Sequence, residues 1–244
     1  MNDLRRIALV AGGSRGIGRA IALRLARSGF DIWLTYKSRH EEAQSLQGEI
    51  HALGRDCELF AFDVADYQAT HDALSQKADA TPPHAVVYNA GIAKDNLMVW
   101  MTPGEWNDVI NVNLNGFFNV VKAVLFPMLR EKRGRIVAIT SVSGEVGQAG
   151  QVNYAASKAG LIGTVKALAR EVGKKNILVN AVSPGLIETE MIGHLPVKDI
   201  VPHIPLQRVG TADEVASLVN YLCSDEASYI QGQVFSVNGG LAMS

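Results

Sequence analysis

A glycine-rich turn between a predicted strand and a predicted helix constrains the fold of this chain more than any other feature. The apolar run RRIALV at 5–10 is followed by AGGSRGIG and then by an amphipathic helical pattern that ends near residue 29. Gly12, Gly16 and Gly18 lack Cβ atoms, so the backbone of this turn can press against a pyrophosphate at the positive end of the helix. The spacing predicts a dinucleotide site, although the same glycines would also suit a turn without a ligand.

The order of strand and helix repeats along all 244 residues. Further strands are predicted at 31–36, 58–62, 84–88, 135–141, 177–182 and 233–237, and further helices at 41–53, 67–78, 105–129, 152–173 and 212–223. This alternation predicts a three-layer, doubly wound α/β Rossmann fold with a seven-stranded parallel sheet. With no linker or repeat visible, we expect a single domain over 1–244. The irregular, proline-containing segment at about 186–205 is expected to form a substrate lid.

Small or polar residues follow five of the predicted strands. Besides the glycine turn, Asp63, Asn89, Ser141 and Pro184 each stand at such a strand end. Ligands of doubly wound folds bind at the carboxyl ends of the strands. Agreement across five loops therefore predicts a binding site along one rim of the sheet.

Three side chains between residues 140 and 158 can act together in proton transfer. Tyr154 and Lys158 are four residues apart and share a face of the predicted helix, and Ser141 ends the strand before it. A phenol pKa is near ~10, and a neighbouring ammonium lowers it. A serine hydroxyl can donate to an oxygen that becomes an alkoxide. The trio predicts an acid that protonates oxygen while hydride reaches carbon, although a Tyr-x-x-x-Lys pair alone is common on helix surfaces.

Basic residues surround the predicted turn and the end of the second strand. That strand ends without the acidic residue that usually binds the ribose hydroxyls of NAD, and Lys37 and Arg39 follow it, while Arg15 lies within the glycine turn. Two or three cations there suit a 2′-phosphate, so we predict NADP(H) as cofactor. The alternative is that these are ordinary solvated surface charges.

Composition excludes several classes of function. The net charge of −1 gives no general attraction to nucleic acid or anionic membranes, and we expect no apolar stretch to approach the ~20 residues of a membrane span. The N-terminus lacks a signal-peptide pattern. Cys57 and Cys223 indicate neither a disulfide framework nor a metal cluster and suit a buried, apolar setting. We expect a cytoplasmic protein without metal, nucleic acid or membrane partners.

Taken together, the motifs resemble the short-chain dehydrogenase/reductase family over the whole chain. The resemblance rests on Gly12…Gly16-x-Gly18, Asn89-Ala90-Gly91, Asn113, Ser141, Tyr154-x-x-x-Lys158 and Pro184-Gly185. Stretches such as QVNYAASKAGLIG and LAREVGKKNILVNAVSPGLIETEM are more closely similar to the bacterial 3-oxoacyl-[acyl-carrier-protein] reductases. That similarity implies hydride transfer from NADPH to C3 of a 3-oxoacyl thioester on an acyl-carrier protein, in a homotetramer.

The resemblance also implies roles for the matching residues. Tyr154 would donate the proton, Ser141 would orient the carbonyl, and Lys158 would bind the nicotinamide ribose and lower the tyrosine pKa. Asn113 would distort its helix and hold a water linked to Lys158. The implied cofactor-binding residues are Gly12, Ser14, Arg15, Gly16, Ile17, Gly18, Lys37, Arg39, Asp63, Val64, Asn89, Ala90, Gly91, Tyr154, Lys158, Pro184, Gly185, Ile187 and Thr189.

Some positions depart from the family pattern. Ala11 replaces the usual threonine before the first glycine, and Tyr88 replaces the first asparagine of N-N-A-G. Lys132, Arg133 and Lys175 stand where arginines of the family often meet the acidic carrier, and they are either docking residues or plain surface charges. The departures leave open a specialised fatty-acid, polyketide or polyene pathway. Two further alternatives are a carrier-free ketone or alcohol as substrate and a non-enzymatic NADP-binding regulator.

Overall fold

The computed structural model describes residues 6–193 and 197–243 and forms a doubly wound α/β Rossmann fold. Its seven parallel strands lie in the order β3-β2-β1-β4-β5-β6-β7. The strands are β1 (Arg6–Ala11), β2 (Phe30–Tyr36), β3 (Cys57–Ala61), β4 (Ala85–Tyr88), β5 (Gly134–Ile139), β6 (Ile177–Pro184) and β7 (Val234–Val237). The α-helices are α1 (Gly16–Arg27), α2 (His40–Ala52), α3 (Tyr67–Ala80), α4 (Pro103–Ile110), α5 (Gly116–Glu131), α6 (Val142–Val146), α7 (Val152–Val172), α8 (Val197–Ile200) and α9 (Ala212–Leu222).

Two apolar clusters, one on each face of the sheet, hold the three layers together. Neighbouring residues of β1 point to opposite faces, so Val10 packs into the cluster that contains Leu25 of α1, while Leu9 packs into the cluster that contains Phe117 and Leu161. Because helices cover both faces, the central strands are apolar at nearly every position rather than at alternate ones. The sequence prediction of a parallel, seven-stranded sheet is confirmed.

The predicted 105–129 helix is interrupted. It begins earlier, at Pro103, where Thr102 and Glu105 form a capping box, and a π-helical turn at Asn111–Asn115 separates α4 from α5. In that turn the amide of Gly116 donates to the carbonyl of Asn111, five residues back. The asparagine-rich sequence indicated an irregularity here, and the structure confirms it.

Other predicted boundaries also move. Strand β5 ends at Ile139 rather than at 141, and Ser141 instead caps helix α6, with its side chain accepting from the amide of Ser143. The segment predicted to be irregular at 186–205 contains short helical turns at Glu190–Ile192, Val197–Ile200 and Val201–His203, and residues 194–196 lie outside the described residues.

The helical run Pro103–Glu131 is, by length and composition alone, long and apolar enough to cross a membrane. The expectation that no apolar stretch of the chain is long enough to span a membrane is therefore corrected. Half of its apolar window is buried inside the protein, and its side chains Phe117, Val120 and Val124 belong to the core beneath α3 and the sheet. Packing in the core of a soluble domain accounts for the apolar composition of this helix.

Candidate active site

The glycine turn after β1 forms the floor of a cleft at the carboxyl rim of the sheet. Gly12 has a φ of +72°, and a Cβ added there would lie 2.6 Å from Cα of Ala90. A Cβ on Gly18 would lie 2.2 Å from the carbonyl oxygen of Gly12, which also accepts a 2.8 Å hydrogen bond from Asn89 Nδ2. The turn, the 89–91 loop and the start of α1 are therefore packed backbone to backbone, as approach of a pyrophosphate requires.

Most of the predicted residues of the dinucleotide site line this cleft, while Gly18, Tyr154, Lys158, Pro184, Gly185 and Ile187 are not part of its lining. Its lining consists of Gly12, Ser14, Arg15, Gly16, Ile17, Thr35, Tyr36, Lys37, Ser38, Arg39, Phe62, Asp63, Val64, Asn89, Ala90, Gly91, Ile92, Val112, Thr189 and Glu190. Thr189 closes one side, since its methyl group would lie 3.4 Å from a Cβ on Gly16. Ile187 is buried in the core cluster below, and Pro184 and Gly185 lie at the end of β6.

All three predicted phosphate-binding cations lie at this cleft, and each contacts a carboxylate. Lys37 Nζ lies 2.5 Å from Asp63 Oδ2, and Arg39 donates to Glu42 over 2.8 Å. Arg15 pairs with Glu190, whose carboxylate also lies 3.8 Å from Arg39. Partial burial is the largest single effect and raises the pKa of Asp63, but the hydrogen bond and charge of Lys37 and the hydrogen bond from the amide of Ala65 together outweigh it, so the pKa of that carboxyl lies below its usual value. The cations are therefore balanced by acids within the cleft.

The catalytic candidates meet beside the cleft. Tyr154 and Lys158 lie on the first two turns of α7, with Lys158 Nζ 5.6 Å from the centroid of the tyrosine ring. Ser141 hydrogen-bonds the phenol from the cap of α6. Lys158 is buried, and its amine donates to the carbonyl oxygen of Ile139 over 2.8 Å. Helix α6 packs on α7 because Gly144 has no side chain; a Cβ there would lie 2.7 Å from Cβ of Lys158.

The pKa of Tyr154 is shifted in the direction opposite to the one that the sequence predicted. Tyr154 keeps part of its surface accessible, yet the protein packed around it raises the pKa to about 12; the hydrogen bond from Ser141 lowers that pKa and the Asp95 carboxylate raises it further. Burial also lowers the pKa of Lys158 to about 8. Burial is the largest cause of this rise, and Lys158 is not among the groups that shift the phenol pKa, so the predicted lowering of that pKa by Lys158 is not seen. The phenol is neutral at neutral pH and holds a proton that it can donate.

Asn113 occupies the middle of the π-helical turn and is fully buried. Its Oδ1 accepts from the amide of Ile92 over 2.8 Å, and its Nδ2 lies 3.0 Å from both the carbonyl of Ile92 and Oγ of Ser157. A Cβ on Gly91 would lie 3.4 Å from both Asn113 Oδ1 and Lys158 Nζ. The turn therefore connects the 89–92 loop to the catalytic helix. The water implied beside Asn113 stays a prediction.

Three predicted carrier-docking residues lie elsewhere. Lys132 and Arg133 directly precede β5, and Lys175 precedes β6, whose first residue Ile177 pairs with Gly134. They are at the amino ends of the strands, on the rim opposite to Tyr154 of the same chain. The structure does not bring them together with the catalytic side chains.

Sequence reasoning missed three polar residues at the site. Asn153 is fully buried and fixes the loop before α4 by donating to the carbonyl of Lys94 over 2.9 Å. Ser157 joins Asn113 to the carbonyl of Tyr154 over 3.0 and 2.7 Å. Glu190 pairs with Arg15, although 175 positions separate them. Asn153 and Ser157 flank the Tyr-x-x-x-Lys pair, so the sequence offered a signal for them but none for Glu190.

Both cysteines belong to an apolar cluster of the core. Cys57 and Cys223 are buried free thiols, as expected, and burial raises the pKa of each to about 12. Within residues 6–193 and 197–243, no group of three or more His, Cys, Asp or Glu side chains could hold a metal ion.

Comparison with known proteins decides the family. Residues 11–242 match the family described as enoyl-(acyl carrier protein) reductase. The chain belongs to the short-chain dehydrogenase/reductase family. Membership of this family makes the protein an oxidoreductase. The predicted NADP(H) cofactor agrees with that membership.

Full-length relatives carry two names. The chain is 46% identical to the 3-oxoacyl-[acyl-carrier-protein] reductase FabG of Aggregatibacter actinomycetemcomitans, over 96% of this chain and 98% of that protein. It is 44% identical to FabG of Escherichia coli (strain K12) over the whole of both chains. It is also 43% identical to the acetoacetyl-CoA reductase of Shinella zoogloeoides, over 97% of this chain and 98% of that protein. The resemblance to the short-chain reductases is confirmed, and the relatives share a 3-oxoacyl substrate but differ in its carrier.

Proposed function

We propose that this enzyme uses NADPH to reduce a 3-oxoacyl thioester of acyl-carrier protein to the 3-hydroxyacyl thioester, in fatty-acid or related polyketide or polyene synthesis. The observation that carries the proposal is the meeting of Ser141, Tyr154 and Lys158 at the edge of a glycine-floored cleft. An acetoacetyl-CoA-type relative supports a second candidate, in which the same reaction takes a coenzyme A thioester. Intact acid and hydroxyl groups argue against a purely regulatory, cofactor-binding role.

The residues of the cleft fit an NADP(H) molecule. Gly12 lines the cleft and Gly18 is buried beneath it, and a Cβ at either position would collide with neighbouring backbone. The pyrophosphate would lie against this turn at the start of α1. Lys37, Arg39 and Arg15 would bind the 2′-phosphate, while Asp63 and Val64 would contact the adenine. When bound, the reduced nicotinamide supplies a hydride to the carbonyl carbon of the substrate.

The protein's own contribution is proton donation and orientation. The Ser141 hydroxyl donates a hydrogen bond to the substrate oxygen, which gains negative charge as the carbon is reduced. Tyr154 transfers its proton to that oxygen, which completes the hydroxyl group of the product. Lys158 would hold the nicotinamide ribose, and its buried amine lies where it can stabilise the phenolate that Tyr154 becomes.

The remaining features of the protein follow from the sequence expectations. We propose a single domain over 1–244, with about 186–205 as a substrate lid, in a cytoplasmic homotetramer. Lys132, Arg133 and Lys175 stay candidates for the acidic carrier, with no support from their position relative to Tyr154 in the same chain.

The substrate class is tested by comparing carriers. Purified enzyme is assayed for loss of NADPH absorbance with acetoacetyl-acyl-carrier protein, acetoacetyl-CoA and a carrier-free 3-oxo ester. We expect the highest kcat/KM with the carrier protein. Equal or better kcat/KM with coenzyme A would favour the second candidate, and turnover of the free ester alone would overturn both.

The proton donor is tested with Tyr154→Phe, which removes only the hydroxyl. Proton donation contributes about 10²- to 10⁴-fold to rate, so kcat should fall at least about 100-fold. Cofactor affinity, measured by fluorescence titration, should change by less than about twofold because the ring stays in place. Full activity of this variant would refute the assigned acid.

A further inference from the structure

Tyr88, the last residue of β4, is fully buried, and its hydroxyl donates to the backbone carbonyl of Val112. It stands where the family usually has asparagine. Its ring packs edge to face on Phe117, with ring centroids 5.6 Å apart and planes at 88°. Burial holds the pKa of Tyr88 above its ordinary value, so the hydroxyl stays a donor throughout the working pH range.

The carbonyl of Val112 needs this donor because of the π-helical turn. In an α-helix, the amide of Gly116 would donate to Val112, four residues back. Here that amide donates to Asn111 instead, which leaves the carbonyl of Val112 without its usual helical partner. A buried carbonyl without a donor is costly, so the phenol of Tyr88 stabilises the turn in its π form.

Gly116 supplies the space that the phenol occupies. A Cβ at this position would lie 2.2 Å from Oη of Tyr88 and 2.9 Å from Cγ2 of Val64. Any side chain at 116 would therefore displace the hydroxyl or the turn. Tyr88 and Gly116 act as a matched pair that fixes the backbone on either side of Asn113.

The next residue after Val112 is Asn113, whose three hydrogen bonds join the 89–92 loop to Ser157. Ser157 in turn donates to the carbonyl of Tyr154 over 2.7 Å. We propose that Tyr88 is a positioning residue of the active site, which holds the π-helical turn in the form that places Asn113 between the cofactor loop and the catalytic helix. Its effect on turnover rests on the proposed function; its effect on the turn does not.

The test is Tyr88→Phe, which keeps the ring and removes the donor. We expect kcat to fall about tenfold, the scale of one lost hydrogen bond to a buried carbonyl, while KM for NADPH changes by less than about twofold. Tyr67→Phe is the matched control, since Tyr67 lies on the exposed face of α3, and it should leave both values unchanged.

A double-mutant cycle separates positioning from general stability. In the Asn113→Ala background, Tyr88→Phe should lower kcat by less than about twofold, because the residue through which it acts is gone. The same tenfold loss in both backgrounds, or no loss in the native background, would overturn the proposal.

Two further measurements keep the proposal testable if Tyr88→Phe folds poorly or if the substrate is different. Gly116→Ala should lower kcat in the native chain. It should lower kcat less in the Tyr88→Phe background, because the hydroxyl with which the new Cβ would collide is absent there. Amide hydrogen exchange at 113–117 should be faster in Tyr88→Phe than in Tyr67→Phe, whatever the substrate. Equal exchange rates in the two variants would refute the role of Tyr88 in the turn. Faster exchange in Tyr88→Phe, in an enzyme that turns over no thioester, would refute only the proposed reaction.

Discussion

The carboxylate of Glu190 contacts two of the cations that are proposed to bind the cofactor phosphate, and its removal gives a specific prediction. Its carboxylate pairs with Arg15 and lies 3.8 Å from Arg39, two of the three proposed 2′-phosphate ligands. A phosphate that binds these guanidinium groups must compete with that carboxylate. Glu190→Gln removes the charge and keeps the size, so it should strengthen the binding of NADPH.

The exposure of the pairs limits the size of the effect. The side chains of Arg15 and Glu190 are 52% and 65% exposed, and such surface pairs are worth ~0.2–1 kcal/mol each. If the two contacts with Glu190 together oppose binding by about 1 kcal/mol, removing the charge lowers the Kd for NADPH about fivefold. NADH lacks the 2′-phosphate that these cations would bind, so its Kd should fall by less than about twofold.

Fluorescence titration of both cofactors, at low and at raised ionic strength, measures this difference. The gain for NADPH should shrink in salt, because exposed charges are screened. Glu188→Gln is the matched control: it removes a charge two residues earlier on a side chain that forms no ion pair within the described part of the chain. Equal gains for NADPH and NADH, or weaker NADPH binding in Glu190→Gln, would show that this carboxylate does not compete with the 2′-phosphate.

Three other perturbations test the cleft and the buried lysine. Lys37→Asp should weaken NADPH more than NADH in the same titration, because it replaces a phosphate ligand by a like charge; equal losses would place phosphate recognition elsewhere. Gly18→Ala should lower the free energy of unfolding by about 1–3 kcal/mol in urea titrations, since its Cβ would lie 2.2 Å from the carbonyl oxygen of Gly12; unchanged stability would contradict that close packing. Burial lowers the pKa of Lys158 from 10.5 to about 8, so between these values the unfolded chain binds the extra proton and stability should rise with pH. The difference in unfolding free energy between wild type and Lys158→Met should therefore grow in favour of wild type from about pH 8 to pH 10.5, and a pH-independent difference would contradict the buried, depressed amine.

The fold was predictable because its signals are local and repeated. Strands buried on both faces, such as Ile177–Pro184, appear in the sequence as continuous apolar runs, and glycines after β1 mark a turn that few other structures need. The ends of the strands and helices were less predictable than their existence. The apolar pattern of β5 continues to Thr140 because that residue is also buried, so it could not show that the strand ends at Ile139 and that Ser141 caps a helix.

The docking prediction for Lys132, Arg133 and Lys175 rests on similarity to the family and stays a prediction. Lys132 and Arg133 directly precede a predicted parallel strand, and a residue before such a strand lies on the rim opposite to the ligand site. Similarity to the family suggested a role for these positions, while topology alone already separated them from Tyr154 of the same chain.

What the sequence could not show depends on distances between remote segments. Proximity of Tyr154 to Lys158 was predictable from helical spacing, but the phenol pKa depends chiefly on how much water the folded chain removes from the ring, which helical spacing does not show. Likewise, Tyr88 looks like a departure from the family motif until Val112 and Gly116, 24 and 28 positions later, lie against its hydroxyl. Under the proposal for Tyr88, a residue that departs from the family motif takes a role of its own, because its hydroxyl gives the carbonyl of Val112 a donor that the π-helical turn does not supply.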